Sequence, residues 1–254
     1  MYDWAMLSAP WIWPTVAVLA AAPIFVQSPE ELLRRSDVGA FAPASFRARL
    51  VLDNPSRRER HQIEVWRSGD SRTLIRFLEP KERGRYLLRL QSDLWLLTPG
   101  AKKPVRLSPS YRLYGGATLD EVLGVRLAQE YTVESTSREA DSGGALVALE
   151  LRAKSEHILY PQVRYVVREA TERPVTATYR VRSGRVATAV EFVSWSEGPP
   201  VHARRVVVKD FLRKGALTEV DVTEMEARPV PDALFDLGDS TARRALDATV
   251  PAVP

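Results

Sequence analysis

No cysteine occurs among the 254 residues. Its absence excludes disulfides, thiolate metal sites and the lipid-modified N-terminal cysteine that anchors a bacterial lipoprotein. Histidine is nearly as scarce. His61, His157 and His202 are the three in the chain, and they stand far apart in or beside strand-like segments, without the spacing of a metal site. They read as surface or partly buried histidines, so no metal and no cofactor is expected. A phosphate-binding glycine loop, a nucleophile elbow and a zinc-binding helix motif are all missing. Asp141-Ser142-Gly143-Gly144 resembles the nucleophile stretch of trypsin-like proteases. It has no matching histidine context, however, and falls where a hairpin needs its turn. Carboxylates such as Glu219, Asp221 and Glu224 alternate with basic neighbours as on a solvated strand face, although sequence alone leaves an acid/base pair open. Neither sign of charge dominates, with 36 Lys+Arg against 32 Asp+Glu and a net +4. The pI of 9.4 would suit a nucleic-acid binder, but the arginines are scattered at alternate strand positions. That pattern describes an arginine-rich outer face and implies no nucleic-acid partner.

A hydrophobic content of 45% is enough for a large core, and the length suits one β domain better than two. Residues 11–26 (WIWPTVAVLAAAPIFV) form an uncharged apolar run, short for a membrane span and interrupted by Pro14 and Pro23. Residues 1–28 are therefore expected to be a secretory signal peptide or an N-terminal hydrophobic anchor. Two features depart from the usual signal pattern. Residues 1–10 carry Asp3 and no Lys or Arg, and Ala20-Ala21-Ala22 runs directly into Pro23. An alternative start at Met6 would remove the acidic residue. Next, Ser28-Pro29-Glu30-Glu31 places an N-cap, a first-turn proline and two carboxylates at the positive end of a helix dipole, which predicts a short amphipathic helix through Arg35.

From Ala44 onward apolar residues recur at every second position. Phe46, Ala48, Leu50 and Leu52 share one strand face, and Ser45, Arg47 and Arg49 the other. Turns are predicted at Asn54-Pro55-Ser56, Ser68-Gly69-Asp70 and Ser183-Gly184, and short turns between successive strands describe an antiparallel meander. Residues 84–119 hold two strands around a polar turn, with Trp95 and Leu97 beside it, then a basic strand with Lys102, Lys103 and Arg106. Pro109, Gly115 and Gly116 break the meander. Thr118-Leu119-Asp120-Glu121 then begins an internal helix whose Leu119, Val122, Leu123 and Leu127 lie on one side. About eleven or twelve strands are counted. Residues 29–237 are expected to be the folded domain and residues 238–254 a flexible C-terminal tail.

Several ordered motifs now carry a resemblance: Trp66-x-x-Gly69, Arg76-Phe77-Leu78-x-Pro80, Gly84-Arg85, Leu94-Trp95-Leu96-Leu97-x-Pro99 and the basic strand to Ser108-Pro109. Tyr160-x-x-Val163, Pro174 with Tyr179-Arg180, and Pro231-Asp232-x-Leu234-Phe235 follow in order. Together they resemble the LolA-like superfamily of periplasmic outer-membrane lipoprotein-sorting proteins, over residues 31–237. The segment before the internal helix departs from the family by lacking its acidic-aromatic character. The resemblance implies a mainly β fold with a few helices, a curved antiparallel sheet forming an incomplete β-barrel of about 11 strands under a helical lid. It further implies a monomeric periplasmic carrier, cleaved or tethered by its N-terminal segment, that holds acyl chains of a lipoprotein or lipid. Its partners would be an inner-membrane transporter and an outer-membrane acceptor. A regulatory or accessory module of the same fold, sensing lipid or serving a lipid exporter, is the alternative, and no enzymatic activity is expected. The apolar wall is assigned to Phe46, Leu50, Ile63, Val65, Ile75, Phe77, Trp95, Leu97, Tyr165, Tyr179 and Phe192, and the cover to Leu119, Leu123 and Leu127. For each of these residues plain core packing predicts the same alternation.

Overall fold

The computed structural model describes residues 28–37, 41–101, 103–108, 111–113, 117–118, 121, 126–213 and 216–248. Residues 1–27, which hold nearly all of the expected signal peptide or N-terminal anchor, and Leu119 and Leu123 lie outside the described residues. Helix α1 (Pro29–Ser36) starts as its sequence dictates. Ser28 caps it by accepting from the Glu31 amide at 3.2 Å, Pro29 fills the first turn, and Arg34 and Arg35 occupy the last. Leu32 and Leu33 are its buried side.

Thirteen strands follow: β1 (Ser45–Asn54), β2 (Glu59–Ser68), β3 (Arg72–Phe77), β4 (Tyr86–Leu90), β5 (Asp93–Leu97), β6 (Val105–Leu107), β7 (Tyr131–Asp141), β8 (Gly144–Ala153), β9 (Gln162–Arg168), β10 (Pro174–Arg180), β11 (Val186–Trp195), β12 (Ala203–Asp210) and β13 (Ala216–Ala227). Among the described residues there are also two short α-helices, α2 (Leu127–Glu130) before β7 and α3 (Thr241–Ala248) at the end, and three single 3-10 turns at Pro80–Glu82, Phe211–Arg213 and Asp232–Phe235. Among the described residues no helix is long and apolar enough to cross a membrane. All thirteen strands join one antiparallel sheet in the order β6-β5-β4-β3-β2-β1-β13-β12-β11-β10-β9-β8-β7. Two meanders, β1 to β6 and β7 to β13, are thus stitched together where β1 pairs with β13. The sheet does not close, and the mainly β, incomplete-barrel expectation holds with thirteen strands in place of about eleven.

Irregular registers at Arg49/Leu50, Tyr179/Arg180 and Phe192/Ser194 are where one strand carries an extra residue. Such bulges bend a strand and increase its twist, which lets so wide a sheet curl. One topological fact then determines where the cover must be. Strands β6 and β7 are consecutive in the chain yet form opposite edges of the sheet, so residues 108–130 have to travel from one edge to the other. Leu113, Ala117 and Leu127 of that connector are buried in the main core, which puts its path over the core-bearing face, here called the inner face.

The outer face is charged apart from a small apolar cluster of Leu146, Ala148 and Val166 on β8 and β9 and one larger exception. Exposed edge strand β7 carries ion pairs to its neighbours, Glu134 with Arg152, Glu139 with Arg164 and Asp141 with Arg168, and Arg164 also pairs with Glu150 of β8. Charges along an edge discourage pairing with another chain, and this accounts for much of the dispersed arginine. The Asp141 turn accepts from the Gly143 amide at 2.8 Å, a local turn bond in place of any catalytic arrangement. Arg168 beside it holds the Asp141 carboxyl down to about 2.

The larger exception is the outer side of β2 to β5, where Trp66, Leu74, Tyr86 and Leu88 are covered by Val230, Leu234 and Phe235. Helix α3 adds Ala242 and Leu246 to this second core. Residues 241–248 are therefore a docked helix, which corrects the expectation of a flexible tail for that part of residues 238–254. Arg76 fastens it by donating to the Leu246 carbonyl, and Tyr86 donates to the Arg243 carbonyl at 2.8 Å. Beneath the helix Glu64, with no exposed surface, takes Arg76 at 2.6 Å, Arg47 at 2.5 Å and the Trp66 indole N–H at 3.1 Å.

Candidate functional site

Strand parity decides which side chains can meet on the inner face. In β1 it presents Phe46, Ala48, Leu50 and Leu52, paired across β2 with Arg67, Val65, Ile63 and His61. Val65 and Ile63 continue to Ile75 and Phe77 of β3. On the other half, Tyr165 of β9 pairs with Ala177, and Val163 with Tyr179. Phe192 of β11 opposes Val206 of β12, which opposes Val220 of β13. These apolar side chains belong to a single core with Leu32, Leu33, Leu113 and Leu127 from the helices and the connector. Eight of the predicted wall residues, Phe46, Leu50, Ile63, Val65, Ile75, Phe77, Tyr165 and Tyr179, are buried in it, and Phe192 packs against it half-exposed.

Trp95 and Leu97 do not join them. Through β4 they stand opposite Leu88 and Tyr86, and both pack in the outer-face cluster under the C-terminal segment. The inward residues of β5 are Leu94 and Leu96. The assignment of Trp95 and Leu97 to the apolar wall is thus corrected by one residue of parity, and in a strand one residue exchanges the faces.

A cavity of about 60 Å³ lies against the middle of the inner face, where β1, β13, β12 and β11 run side by side. Phe46, Leu50 and Phe192 from the predicted wall line it, together with Val206, Val220, Val222 and Met225. Three polar residues also reach it, Arg67, Glu121 and His202. Ligand pockets typically enclose about 300–1,000 Å³, well above this volume. The cavity has room for a few water-sized groups but not for a whole acyl chain.

The cover is held by polar contacts around its margin. Tyr165 donates its hydroxyl to the Ser36 carbonyl at 2.5 Å, pinning the end of α1 above β9. Asp37 accepts from the Ala128 amide at 3.0 Å and so ties α1 to α2. Arg35 reaches Glu172 at 2.5 Å. The connector has its own cap: Glu121 accepts from the Thr118 amide at 2.7 Å and Thr118 from the Glu121 amide at 3.3 Å, the reciprocal capping box expected at this position. Glu121 also accepts from the Tyr160 hydroxyl at 3.0 Å, joining the connector to the start of β9. Arg67 donates to the Gly69 carbonyl at 3.1 Å, and burial lowers its guanidinium pKa. His202 holds its Nδ1 2.7 Å from the Pro200 carbonyl.

Sequence reasoning missed Arg67 because a polar residue at an inward strand position breaks the alternation that exposes the wall, and Glu121 and His202 because they stand outside the strands, in the connector and just before β12. The one available signal was the capping spacing from Thr118 to Glu121. Among the described residues no group of His, Cys, Asp and Glu is arranged to hold a metal ion.

The buried phenols make a pH prediction. Burial, and after it the Glu121 charge, push the Tyr160 hydroxyl up from 10.0 to about 12, and burial raises Tyr165 well above its ordinary value. A raised folded-state pKa contributes stability that is complete below the unfolded value near 10 and is lost as the pH climbs through the folded value. Denaturant midpoints should be flat to about pH 10 and then fall, Tyr160 alone accounting for on the order of 2 kcal/mol. Tyr160→Phe should reduce the slope between pH 10 and pH 12, and an unchanged slope would contradict the assignment.

A protein-family model described as “-like: Uncharacterized protein” matches residues 69–238, more than half of the chain. The fold, meanwhile, superposes on solved structures over nearly their whole length. The LolA superfamily protein NE2245 from Nitrosomonas europaea is 23% identical, with a TM-score of 0.74 over 83% of this chain and 98% of that one. The chain belongs to the matched family, and its fold is LolA-like. A domain from Vibrio parahaemolyticus assigned to outer membrane lipoprotein sorting is 16% identical, with a TM-score of 0.69 over 86% of this chain and 97% of that one. A DUF1329 family protein from Desulfovibrio piger is also 16% identical, at a TM-score of 0.67 over 82% and 95% of the two chains. No curated protein matches the chain.

Proposed function

We propose that this LolA-like protein is a periplasmic carrier that binds acyl chains of a lipoprotein or lipid on its inner face and moves them toward the outer membrane. The observation that carries this reading is a wide, unclosed sheet with one continuous apolar face, covered by short helices and a connector instead of by a second sheet. A cover of this kind can be exchanged for a ligand without breaking the ladder. The margin contacts of α1 and α2 are few and polar, and water can replace them when the cover lifts. Phe46, Leu50 and Phe192 around the small cavity are the first wall residues a chain would meet. Ile63, Val65, Ile75, Phe77, Tyr165 and Tyr179 form the deeper wall, and Leu119 and Leu123 belong with the cover in this proposal.

Hydrophobic transfer supplies the affinity without catalytic groups. At about 0.8 kcal/mol per buried methylene, an acyl chain of roughly 14 carbons contributes on the order of 10 kcal/mol before ordering costs. Titration of the purified protein with a fluorescent long-chain fatty acid should therefore give saturable binding with a Kd of roughly micromolar, displaced by unlabelled fatty acid. Lipid mass spectrometry of the same preparation should find a co-purified amphiphile. No saturable binding and no bound lipid would overturn the proposal.

A further inference from the structure

A cavity on the outer face is lined by more charge than the inner wall. It measures about 410 Å³ and lies between the β4–β5 side of the sheet, the turn at residues 98–101 and helix α3. Four cationic side chains line it, Arg83, Lys103, Arg243 and Arg244, against one carboxylate, Asp247. Their placement follows from the docking of α3. Positions 240, 243, 244 and 247 fall on one side of a helix, because three- and four-residue steps return to the same face. Leu246 and Ala242 meanwhile pack in the outer-face core. Arg243 is buried and donates to the Leu234 carbonyl at 3.2 Å, so it forms a fixed cationic floor.

The remaining three cations stand around this floor, exposed and without a contact ion pair among the described residues, Arg244 acting on Asp239 through the field of its charge. Arg83 donates to the Asp247 backbone carbonyl at 3.0 Å. Arg244 has only the Thr241 hydroxyl at 3.4 Å. Nearby, Arg106 of β6 is paired with Asp93 of the adjacent β5, whereas the cations of this cavity have no such pair among the described residues. Four cations against one carboxylate thus converge on a single concavity.

We infer that this pocket is a binding site for a phosphate ester, a multiply charged anion whose oxygens are shared among Arg83, Lys103 and Arg244. Guanidinium groups match phosphate oxygens in paired geometry, and an ammonium adds a point charge. Leu97, Pro99, Pro104 and Leu237 on the wall suit the organic part of such an ester. The same chemistry comes from two sources, an anionic lipid headgroup in a membrane or a soluble phosphorylated molecule. Because the pocket opens on the opposite side of the sheet from the acyl wall, it stands or falls independently of the carrier proposal.

The test uses the full chain with two probes. Inorganic pyrophosphate is titrated by calorimetry, and vesicles of phosphatidylcholine with and without phosphatidylglycerol are tested by co-sedimentation. At least one probe should bind in a salt-sensitive manner. The Lys103→Ala/Arg244→Ala variant, which removes two exposed side chains and leaves the Arg243 floor, should weaken that binding tenfold or more. Arg138→Ala, which removes an equally exposed cation on β7, should leave it unchanged. Loss confined to pyrophosphate identifies a soluble ester, and loss confined to phosphatidylglycerol vesicles identifies a headgroup. Absence of binding to both probes, or equal weakening by Arg138→Ala and the double variant, would overturn the assignment.

Discussion

Replacing Glu64 by alanine is expected to destabilise the protein by about 3–5 kcal/mol and to lower Tm by roughly 10–15 °C. Glu64 is fully buried on the outer side of β2 and accepts from Arg47, Arg76 and the Trp66 indole. Without it, Arg76 keeps its place beneath α3 at 4% exposure with its charge uncompensated. A buried cation stripped of its partner is costly for the same low-polarity surroundings that strengthened the pair. The effect should therefore be specific to removing one side of the pair. Glu64→Leu/Arg76→Leu, which removes both charges, should recover most of the loss, because an apolar replacement of a buried pair is often neutral or better. Chemical denaturation of the three proteins checks this. A double variant as unstable as Glu64→Ala would show that the loss comes from packing rather than charge.

The second large effect is on ligand binding. Val222 lies half-buried at the small inner-face cavity, and Val222→Trp would fill that space with a ring. Affinity for a fluorescent fatty acid is expected to fall tenfold or more, about 1.4 kcal/mol, with far-ultraviolet circular dichroism unchanged. Trp95→Ala is the informative comparison. It should cost about 1–3 kcal/mol of stability, less than a fully buried tryptophan because the ring is half-exposed, and leave fatty-acid affinity within twofold. If Trp95→Ala weakened binding and Val222→Trp did not, the ligand would be on the other face of the sheet.

That comparison also shows where sequence reading succeeds and where it stops. Strands β1 to β3 were legible because Phe46, Leu50, Ile63, Val65, Ile75 and Phe77 alternate with arginines and glutamates, and polarity tells the two faces apart. In β5 the run Leu94-Trp95-Leu96-Leu97 is apolar on both faces, so periodicity carries no information about which side is in. Its facing is decided by the pairing of Trp95 with Leu88 and by the second core that the C-terminal segment creates. Neither of those can be seen locally.

The same blindness explains residues 238–248. An Ala- and Arg-rich composition looked like a solvated tail. Yet Ala242 and Leu246 give α3 one apolar side, and Arg76 and Tyr86 reach up from the sheet to its carbonyls. Arg243, the least exposed large side chain of the helix, is buried by hydrogen bonds to backbone oxygens, a pattern no hydropathy reading anticipates. The cavity-lining Arg67, Glu121 and His202 were hidden for a related reason, since their partners come from turns and from the connector, not from neighbouring strand positions.

The most direct test of the central claim is to find where a bound acyl chain lies. A long-chain fatty acid carrying a terminal diazirine, cross-linked to the purified protein and mapped by peptide mass spectrometry, should label β1, β12 and β13, centred on Leu50, Val206 and Val222. Unlabelled fatty acid should compete the labelling away. Labelling confined to the outer-face cluster around Trp95, Leu97 and α3, or scattered over the charged surface without competition, would contradict the account.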